Sequence, residues 1–378
     1  MNEVIKFAIV GIGTMGSTHA LHLNEGKIND GKLVAICDIN PARLQWAEEN
    51  LSSDIKKYID YDEMLAAGGF DAVMIATPHY LHPPMAIKAL NKGYHTLIEK
   101  PAGVYTKQVR EMNEVALKHP ELKFGIMFNQ RTNEIYKKTK ELIESGELGE
   151  IKRTNWIITN WYRPQAYYNQ GGWRATWQGE GGGVLLNQSP HQLDLWQWIC
   201  GMPKTIRAFC YFGRNRKINV ENDVTAFCEY ENGGTGVFVT STHDYPGSNR
   251  FEISGDNGQI VIEDNKLIFR KANINEKVFN ETNTEPWSTP GFEVYEFANG
   301  NVWGNQHIEI FNNFIKAIEE DIPLIAPGIE GIKSLTISNA MLLSTWLNET
   351  IDVHNLDEEL FYQELQKRIN EEKSQKGE

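Results

Sequence analysis

The stretch VIKFAIVGIGTMGSTHALHLNE, residues 4–25, decides the fold. Its first seven residues are apolar or β-branched apart from Lys6, a short run that reads as a buried strand. Gly11-Ile12-Gly13-Thr14-Met15-Gly16 follows, and helical spacing begins at once. Strand, G-x-G-x-x-G and helix in that order make a dinucleotide-binding turn. Gly11 permits the tight turn, Gly13 lets a pyrophosphate approach the backbone, and Gly16 lets the helix pack closely on the strand. The free N–H groups at this end of the helix, with Thr14 and Met15, then face the phosphates together with the helix dipole.

Working outward, the next strand, KLVAICD, ends in Asp38, 22 residues past Gly16. A carboxylate there accepts hydrogen bonds from ribose hydroxyls and repels a 2′-phosphate, which favours NAD over NADP. Arg43, five residues later, leaves NADP open. The alternation continues with strands over 71–77, 94–101 and 122–129 and helices over 83–93 and 107–119. That spacing predicts a doubly wound parallel sheet, with ligands at the carboxyl ends of its strands. The groups at those ends are Thr77-Pro78-His79, Glu99-Lys100-Pro101 and Asn129-Gln130-Arg131. Lys100, placed after a buried strand, is expected to direct its ammonium into the cleft beside the nicotinamide. The other reading is a surface lysine with a snorkelling stem. Pro101 fixes the chain direction there, and a cis bond is one way to do so. His82 starts a helix and counts as a cofactor-side position, with a structural role preferred over a catalytic one.

From about residue 150 the pattern changes to short strands separated by Gly or Asn turns, at 151–162, 226–231, 236–243, 249–255 and 258–264. These predict an antiparallel sheet with one face wet or in an interface. Residues 304–319 and 328–348 read as helices that pack back against the first domain, and KRINEEKSQKGE at the end as a frayed helix tail. The resulting division is an NAD-binding Rossmann domain over 1–130, a substrate-binding and oligomerisation α/β domain over 131–350, and a terminal helix and tail over 351–378.

GEGGGVLLNQSPHQLDL, residues 179–195, reads as a glycine turn leading into a helix. Gly181 to Gly183 would turn the chain and admit a ligand to the backbone. Asn187 and His191, four apart, would project from one helical face. A satisfied core histidine is the bland alternative, and Asp194 reads as a cap, an orienting group or a hydrated surface acid. Six of ten tryptophans lie between 156 and 198. Trp196 and Trp198 read as core. The loop WYRPQAYYNQGGWRATW, 161–177, is polar, glycine-containing and aromatic, which suits the apolar face and hydroxyl rim of a carbohydrate. Tyr162, Arg163, Trp173 and Arg174 are its candidate contacts.

The 378 residues exceed one ordinary core, so two domains are expected. A net charge of −13 disfavours nucleic acid and anionic membranes as partners. Cys37, Cys200, Cys210 and Cys228 form no C-x-x-C pair and sit in apolar contexts, so buried thiols in a reducing compartment are expected, with no metal site. The beginning, MNEVIKFAIVGIG, has no basic leader or cleavage site, and no apolar run suits a membrane span, so a cytoplasmic location is expected.

Taken together, GIGTMG, Asp38, IATPHYLHPPMAIKALNKGYHTLIEKP and GEGGGVLLNQSPHQLDLW resemble the Gfo/Idh/MocA oxidoreductases over roughly residues 3–350. The resemblance implies a Rossmann domain followed by an α/β domain with a large, mostly antiparallel sheet, whose outer face commonly builds homodimers or homotetramers. It maps the family lysine onto Lys100 and the family histidine onto His191. Many members carry Asp four residues before that histidine. Asn187 stands there instead, so a Lys–Asp–His triad does not transfer unchanged. The 171–201 segment looks most like the branch that includes glucoside 3-dehydrogenases and levoglucosan dehydrogenase. The expected activity is NAD-dependent hydride transfer from a ring hydroxyl carbon of a sugar, glycoside or anhydrosugar, with C3 favoured. Lys100, His191 and Asn187 would carry it. Inositol 2-dehydrogenase, a redox-neutral NAD-dependent glycosidase and an NAD-binding sensor without turnover are the alternatives.

Overall fold

The computed structural model describes residues 4–298 and 305–376, with the side chain of Lys376 left aside. The chain forms two compact units, Met1–Thr132 with Val302–Leu335 and Asn133–Asn301 with Thr336–Glu378.

The first unit carries six parallel strands: β1 (Ile5–Val10), β2 (Gly31–Cys37), β3 (Lys56–Tyr58), β4 (Ala72–Ile75), β5 (His95–Ile98) and β6 (Phe124–Ile126). Their order is β3-β2-β1-β4-β5-β6. Between them run α1 (Thr14–Asn24), α2 (Pro41–Asn50), α3 (Tyr61–Ala67), α4 (His82–Asn91) and α5 (Thr106–Lys118). Phe7, Ala8 and Ile9 of β1 are all fully buried. A strand covered on both faces needs no polar alternation, which is why its sequence reads as a continuous apolar run. The winding reverses between β1 and β4, so the ligand crevice of such a sheet lies at their carboxyl ends.

The second unit carries a nine-stranded sheet: β7 (Ile151–Ile158), β8 (Thr205–Phe212), β9 (Glu221–Glu229), β10 (Thr235–Ser241), β11 (Asn249–Gly255), β12 (Gly258–Glu263), β13 (Lys266–Ala272), β14 (Phe292–Ala298) and β15 (Ile351–Asp352). Its order is β14-β13-β12-β11-β7-β10-β9-β8-β15, antiparallel except where β7 meets β10. Its helices include α6 (Glu134–Glu144), α7 (Gln165–Tyr168), α8 (Pro190–Cys200) and α9 (Glu276–Thr282). One face of the sheet forms the core. Trp156 stacks on Phe251 at 4.2 Å, and Trp196 of α8 stacks on Phe238 at 5.4 Å while its indole N–H reaches Thr154 Oγ1 at 3.0 Å. Ile157, Phe209, Tyr211 and Phe227 are exposed at alternate strand positions, the opposite side from that core.

Three further helices complete the chain: α10 (Asn305–Glu320), α11 (Gly331–Leu347) and α12 (Glu358–Lys376). Gly304, Gly377 and Glu378, which the expected helix and tail include, lie outside the described residues, as do residues 1–3 of the expected leaderless start. α10 belongs to the first unit, where Phe311 and Phe314 pack on Phe7 at ring-centroid distances of 5.5 and 6.3 Å. The expected helix tail is helical through Lys376, and it is not frayed at Glu372. Glu372 is buried and accepts from Asn219 Nδ2 (2.7 Å) and the Gln178 N–H (3.1 Å), which ties the last turns down. Among the described residues no helix is long and apolar enough to cross a membrane. Cys37, Cys210 and Cys228 are buried and Cys200 half-buried, all as free thiols.

Candidate functional site

The glycine turn of the first unit is shaped by contacts that admit no side chain at two positions and leave space at the third. Gly11 has φ +86° and donates to Cys37 O at 2.8 Å; a Cβ there would lie 2.6 Å from Ala76 O. A Cβ on Gly16 would lie 1.8 Å from Gly11 O. A Cβ on Gly13 would meet nothing within 4 Å, and no side chain caps the amino end of α1. An uncapped helix start behind open space is a cradle for an anion such as a pyrophosphate, so these residues fit a dinucleotide. Asp38 is held beside the cradle, its Oδ2 accepting from the Ile12 N–H (2.7 Å) and its Oδ1 from the Asn40 N–H (2.8 Å). Arg43 donates to Ile12 O and lies over Trp46.

At the ends of β4 and β5 the chain is cross-tied. The Lys100–Pro101 peptide is cis. His82, the buried first residue of α4, has Nδ1 2.7 Å from Pro101 O and Nε2 2.7 Å from Thr77 O. Two carbonyl acceptors favour the imidazolium, but burial is the larger effect and holds its pKa below the ordinary value. The ring thus stands between two carbonyl oxygens and ties the turn after β4 to the Pro101 turn. Thr77 and Pro78 line the turn between β4 and α4, with Thr77 half-buried and Pro78 exposed. Glu99 is buried, its Oε1 2.7 Å from His19 Nε2 and its Oε2 accepting the Lys100 N–H at 3.1 Å. Burial raises its pKa, but His19 and Lys100 outweigh that and bring it down to about 2. Glu99 is thus an anion spent on orienting the Lys100 backbone. Asn129 is buried with Nδ2 3.2 Å from His307 Nε2, and burial drives the His307 pKa down to about 4. His19 and His307 escape a sequence reading because nothing local marks them.

In the second unit the structure corrects the expected helix. The Leu186 and Asn187 N–H groups both donate to Gly183 O (3.1 and 2.9 Å) and Ser189 N–H to Val184 O (2.8 Å), so 184–189 is a turn. α8 begins at Pro190, which has no N–H to lose and suits a first helical position. Asn187 precedes the helix and His191 is its second residue; they do not share a helical face. The glycines also serve differently. Gly181 has φ +81°, as a turn requires, but a Cβ on Gly183 would lie 1.9 Å from Glu221 O, so β9 rather than a ligand fills that space. Glu221 is fully buried, and its Oε1 accepts from the Gly183 (2.8 Å) and Leu185 (3.0 Å) N–H groups. Burial pushes its carboxyl up to about 7.

Asn187 sits in a polar chain that the sequence reading missed. Glu180, itself buried, accepts the Ala175 N–H through Oε2 (2.6 Å) and Asn187 Nδ2 through Oε1. Gln188 Nε2 reaches Asn187 Oδ1 (3.2 Å) and Tyr167 Oη (3.3 Å), and Arg174 Nη1 reaches the same Tyr167 Oη at 3.0 Å. An acid flanked by glycines, GEG, was the available signal for Glu180. The aromatic loop divides: Tyr162 and Trp173 are exposed, whereas Tyr168 and Trp177 are buried. Arg163 lies over Tyr167 at 5.1 Å and Arg174 over Trp173 at 4.9 Å. Trp196 is core as expected, while Trp198 is half-buried under Lys140. Asp194 is not a hydrated acid; it is buried and accepts Gln197 Nε2 at 3.0 Å. Lys100 belongs to the first unit, and Asn187, His191 and the aromatic loop to the second.

Two sequence families match along the chain. Residues 5–124 match the oxidoreductase family with an NAD-binding Rossmann fold, and residues 136–261 match the GFO/IDH/MocA C-terminal domain. Inositol 2-dehydrogenase 1 of Paenarthrobacter aurescens is 32% identical over 206 residues, 53% of this chain and 56% of that protein. At this level of similarity the match thus spans little more than half the length of the relative. Myo-inositol 2-dehydrogenase of Thermotoga maritima is 24% identical over 89% of this chain and 95% of its own. Among solved structures, the WlbA dehydrogenase from Bordetella pertussis, in complex with NADH and UDP-GlcNAcA, overlays with a TM-score of 0.76 at 25% identity, over 92% of this chain and 98% of that one. With both halves of the family pattern matched in order, the chain belongs to the Gfo/Idh/MocA oxidoreductases, with an NAD-binding Rossmann domain at its amino end.

Proposed function

We propose that the protein is a dehydrogenase that oxidises a ring CH–OH of a sugar, glycoside or anhydrosugar with NAD, at C3. The observation that carries this reading is the open cradle over Gly13 with Asp38 fixed beside it, in a chain that also holds Lys100 just past the carboxyl end of β5. Gly11, Gly13, Thr14, Met15 and Gly16 would hold the pyrophosphate and Asp38 a ribose, with Thr77, Pro78, His82, Glu99, Lys100 and Asn129 toward the nicotinamide. Bound NAD would supply the hydride acceptor.

The chain supplies the rest. His191 takes the hydroxyl proton, since an imidazole titrates near working pH. Lys100 positions the hydroxyl and stabilises the developing alkoxide through its charge. Glu99 fixes the Lys100 backbone from behind. Asn187 bonds a neighbouring hydroxyl, with its amide already oriented by Glu180 on one side and Gln188 on the other. Tyr162, Arg163, Trp173 and Arg174 give the ring a face and a rim. The exposed apolar stripe through Ile157, Phe209, Tyr211 and Phe227 supports assembly into a homodimer or homotetramer through that face of the sheet.

A cyclitol is the second reading, because the curated relatives are named inositol dehydrogenases. The test is net NADH formation over monosaccharides, glycosides, anhydrosugars and inositols, with NAD and NADP in parallel. Lys100→Ala and His191→Ala should each lower kcat about a hundredfold or more while NAD binding stays near normal. Turnover retained in both variants refutes these assignments. Glycoside cleavage without net NADH would point to the redox-neutral cycle, and tight NAD binding without any turnover to a sensor.

A further inference from the structure

Three guanidinium groups of the second unit lie together with no acid among their polar contacts to described residues. Arg163 and Arg174 each lie 5.1 Å from the ring centre of Tyr167, and Arg216 lies 5.2 Å from that of Tyr162. Arg216 Nε also donates to Arg163 O at 2.7 Å, which joins the three into one cluster. Every hydrogen bond they make goes to a neutral oxygen. Arg163 Nη1 reaches the carbonyls of Trp161 (3.4 Å) and Tyr162 (3.0 Å), Arg216 Nη1 that of Asn215 (2.7 Å), and Arg174 Nη1 the Tyr167 hydroxyl (3.0 Å). Arg163 Nε and Arg216 Nη2 are buried and have no hydrogen-bond partner among the described residues.

The chain has 50 acidic and 37 basic residues, yet no carboxylate of the described residues reaches this cluster. Arg131, Arg214, Arg250 and Arg368 each have a carboxylate within 2.7 Å. Among the described residues none of Arg163, Arg174 and Arg216 has one within 4.0 Å. Gathering like charges without a counter-ion is unfavourable, and a bound anion removes that cost while accepting the N–H groups that the protein leaves open. The cluster is also linked to the proposed substrate residue. Arg174, Tyr167, Gln188 and Asn187 form a line of hydrogen bonds between 3.0 and 3.3 Å long.

We propose that Arg163, Arg174 and Arg216 form an anion subsite and that the sugar substrate carries a carboxylate or a phosphate ester. This rests on the sugar-dehydrogenase reading for the identity of the ligand, but the subsite binds an anionic sugar whether or not turnover follows.

The experiment compares matched pairs on the full-length protein: glucose with glucuronate and with glucose 6-phosphate, and galactose with galacturonate. Two readouts are taken, NADH formation and thermal stabilisation in the presence of NADH. The parent should favour an anionic member by about tenfold or more in kcat/KM, the scale of one charge-assisted hydrogen bond. The uronate and phosphate arms tell which anion it is. In Arg174→Gln and Arg216→Gln the values for neutral and anionic members should converge, whereas Arg174→Lys should retain part of the preference. The parent comparison needs no variant to fold. Equal or better use of the neutral sugars, with no stabilisation by either anion, overturns the subsite and leaves the dehydrogenase standing. Stabilisation by an anionic sugar that the arginine variants lose, without turnover on any compound, upholds the subsite and removes the dehydrogenase.

Discussion

Replacing Asn187 by aspartate would restore the acid that many family members carry, yet the structure makes it a damaging change. Glu180 is 3% exposed and already accepts the Asn187 amide. Asn187→Asp puts a second carboxylate at hydrogen-bond distance from the first. Two charges about 3 Å apart repel by about 5 kcal/mol at an effective dielectric constant of about 20. Taking up a proton is cheaper: for a carboxyl of pKa about 4 it costs about 4 kcal/mol at pH 7. The pair therefore holds one proton, and its penalty falls by about 1.4 kcal/mol for each pH unit below neutrality. The sign follows from the raised folded-state pKa: the variant matches its parent best in acid and falls behind as the pH rises toward 7. Urea unfolding of parent and Asn187→Asp at pH 5 and 7 checks this. The gap should be about 4 kcal/mol at pH 7 and smaller by about 3 kcal/mol at pH 5. Adding Glu180→Gln removes one carboxylate and should return both stability and turnover. A gap that does not change with pH, or a double variant no better than the single, refutes the pairing of these two side chains.

Two further perturbations follow from the same contacts. Gly16→Ala sets a Cβ 1.8 Å from a backbone oxygen that cannot yield, so it should lower Tm and abolish NADH binding in a fluorescence titration. Gly13→Ala meets no protein atom within 4 Å and should keep Tm while NADH binding weakens; loss of Tm there counts against an open cradle. Glu221, raised to about 7 by burial, contributes stability that is fully present below pH about 4.5 and declines as the pH rises through 7. Glu221→Gln should flatten the unfolding profile between pH 5 and 8, and an unchanged slope there would remove the buried carboxyl as its source.

What could be read from the sequence was what neighbouring residues decide. The glycine motif, Asp38 and the strand–helix alternation each involve a few consecutive residues, and the parallel sheet has them in place. The wet or interfacial face of the second sheet followed from alternation along its strands, and the burial of Trp196 from its place on an apolar helical segment. The helix around His191 was misplaced because 184–195 has helical apolar spacing, while Pro190 inside it marks the true start. Strands β8, β13 and β14 escaped notice because β8 puts Phe209 and Tyr211 at its exposed positions, β13 sets Ile268 between its buried Leu267 and Phe269, and β14 is exposed along nearly its whole length, so none shows a polar–apolar contrast in sequence. Arg216 joins Arg163 across 53 positions, and His19 joins Glu99 across 80. Such pairings are products of topology, and no local pattern announces them.

The return of α10 to the first sheet bears on how the chain is made. Phe7 leaves the ribosome about 300 residues ahead of its partners Phe311 and Phe314. The first sheet is thus finished by a helix made long after its own strands, and the intervening unit can fold while the first still waits. A chain halted before that helix would present a bare aromatic floor to chaperones, and a fragment cut after Thr132 would carry the glycine cradle without the packing that supports it.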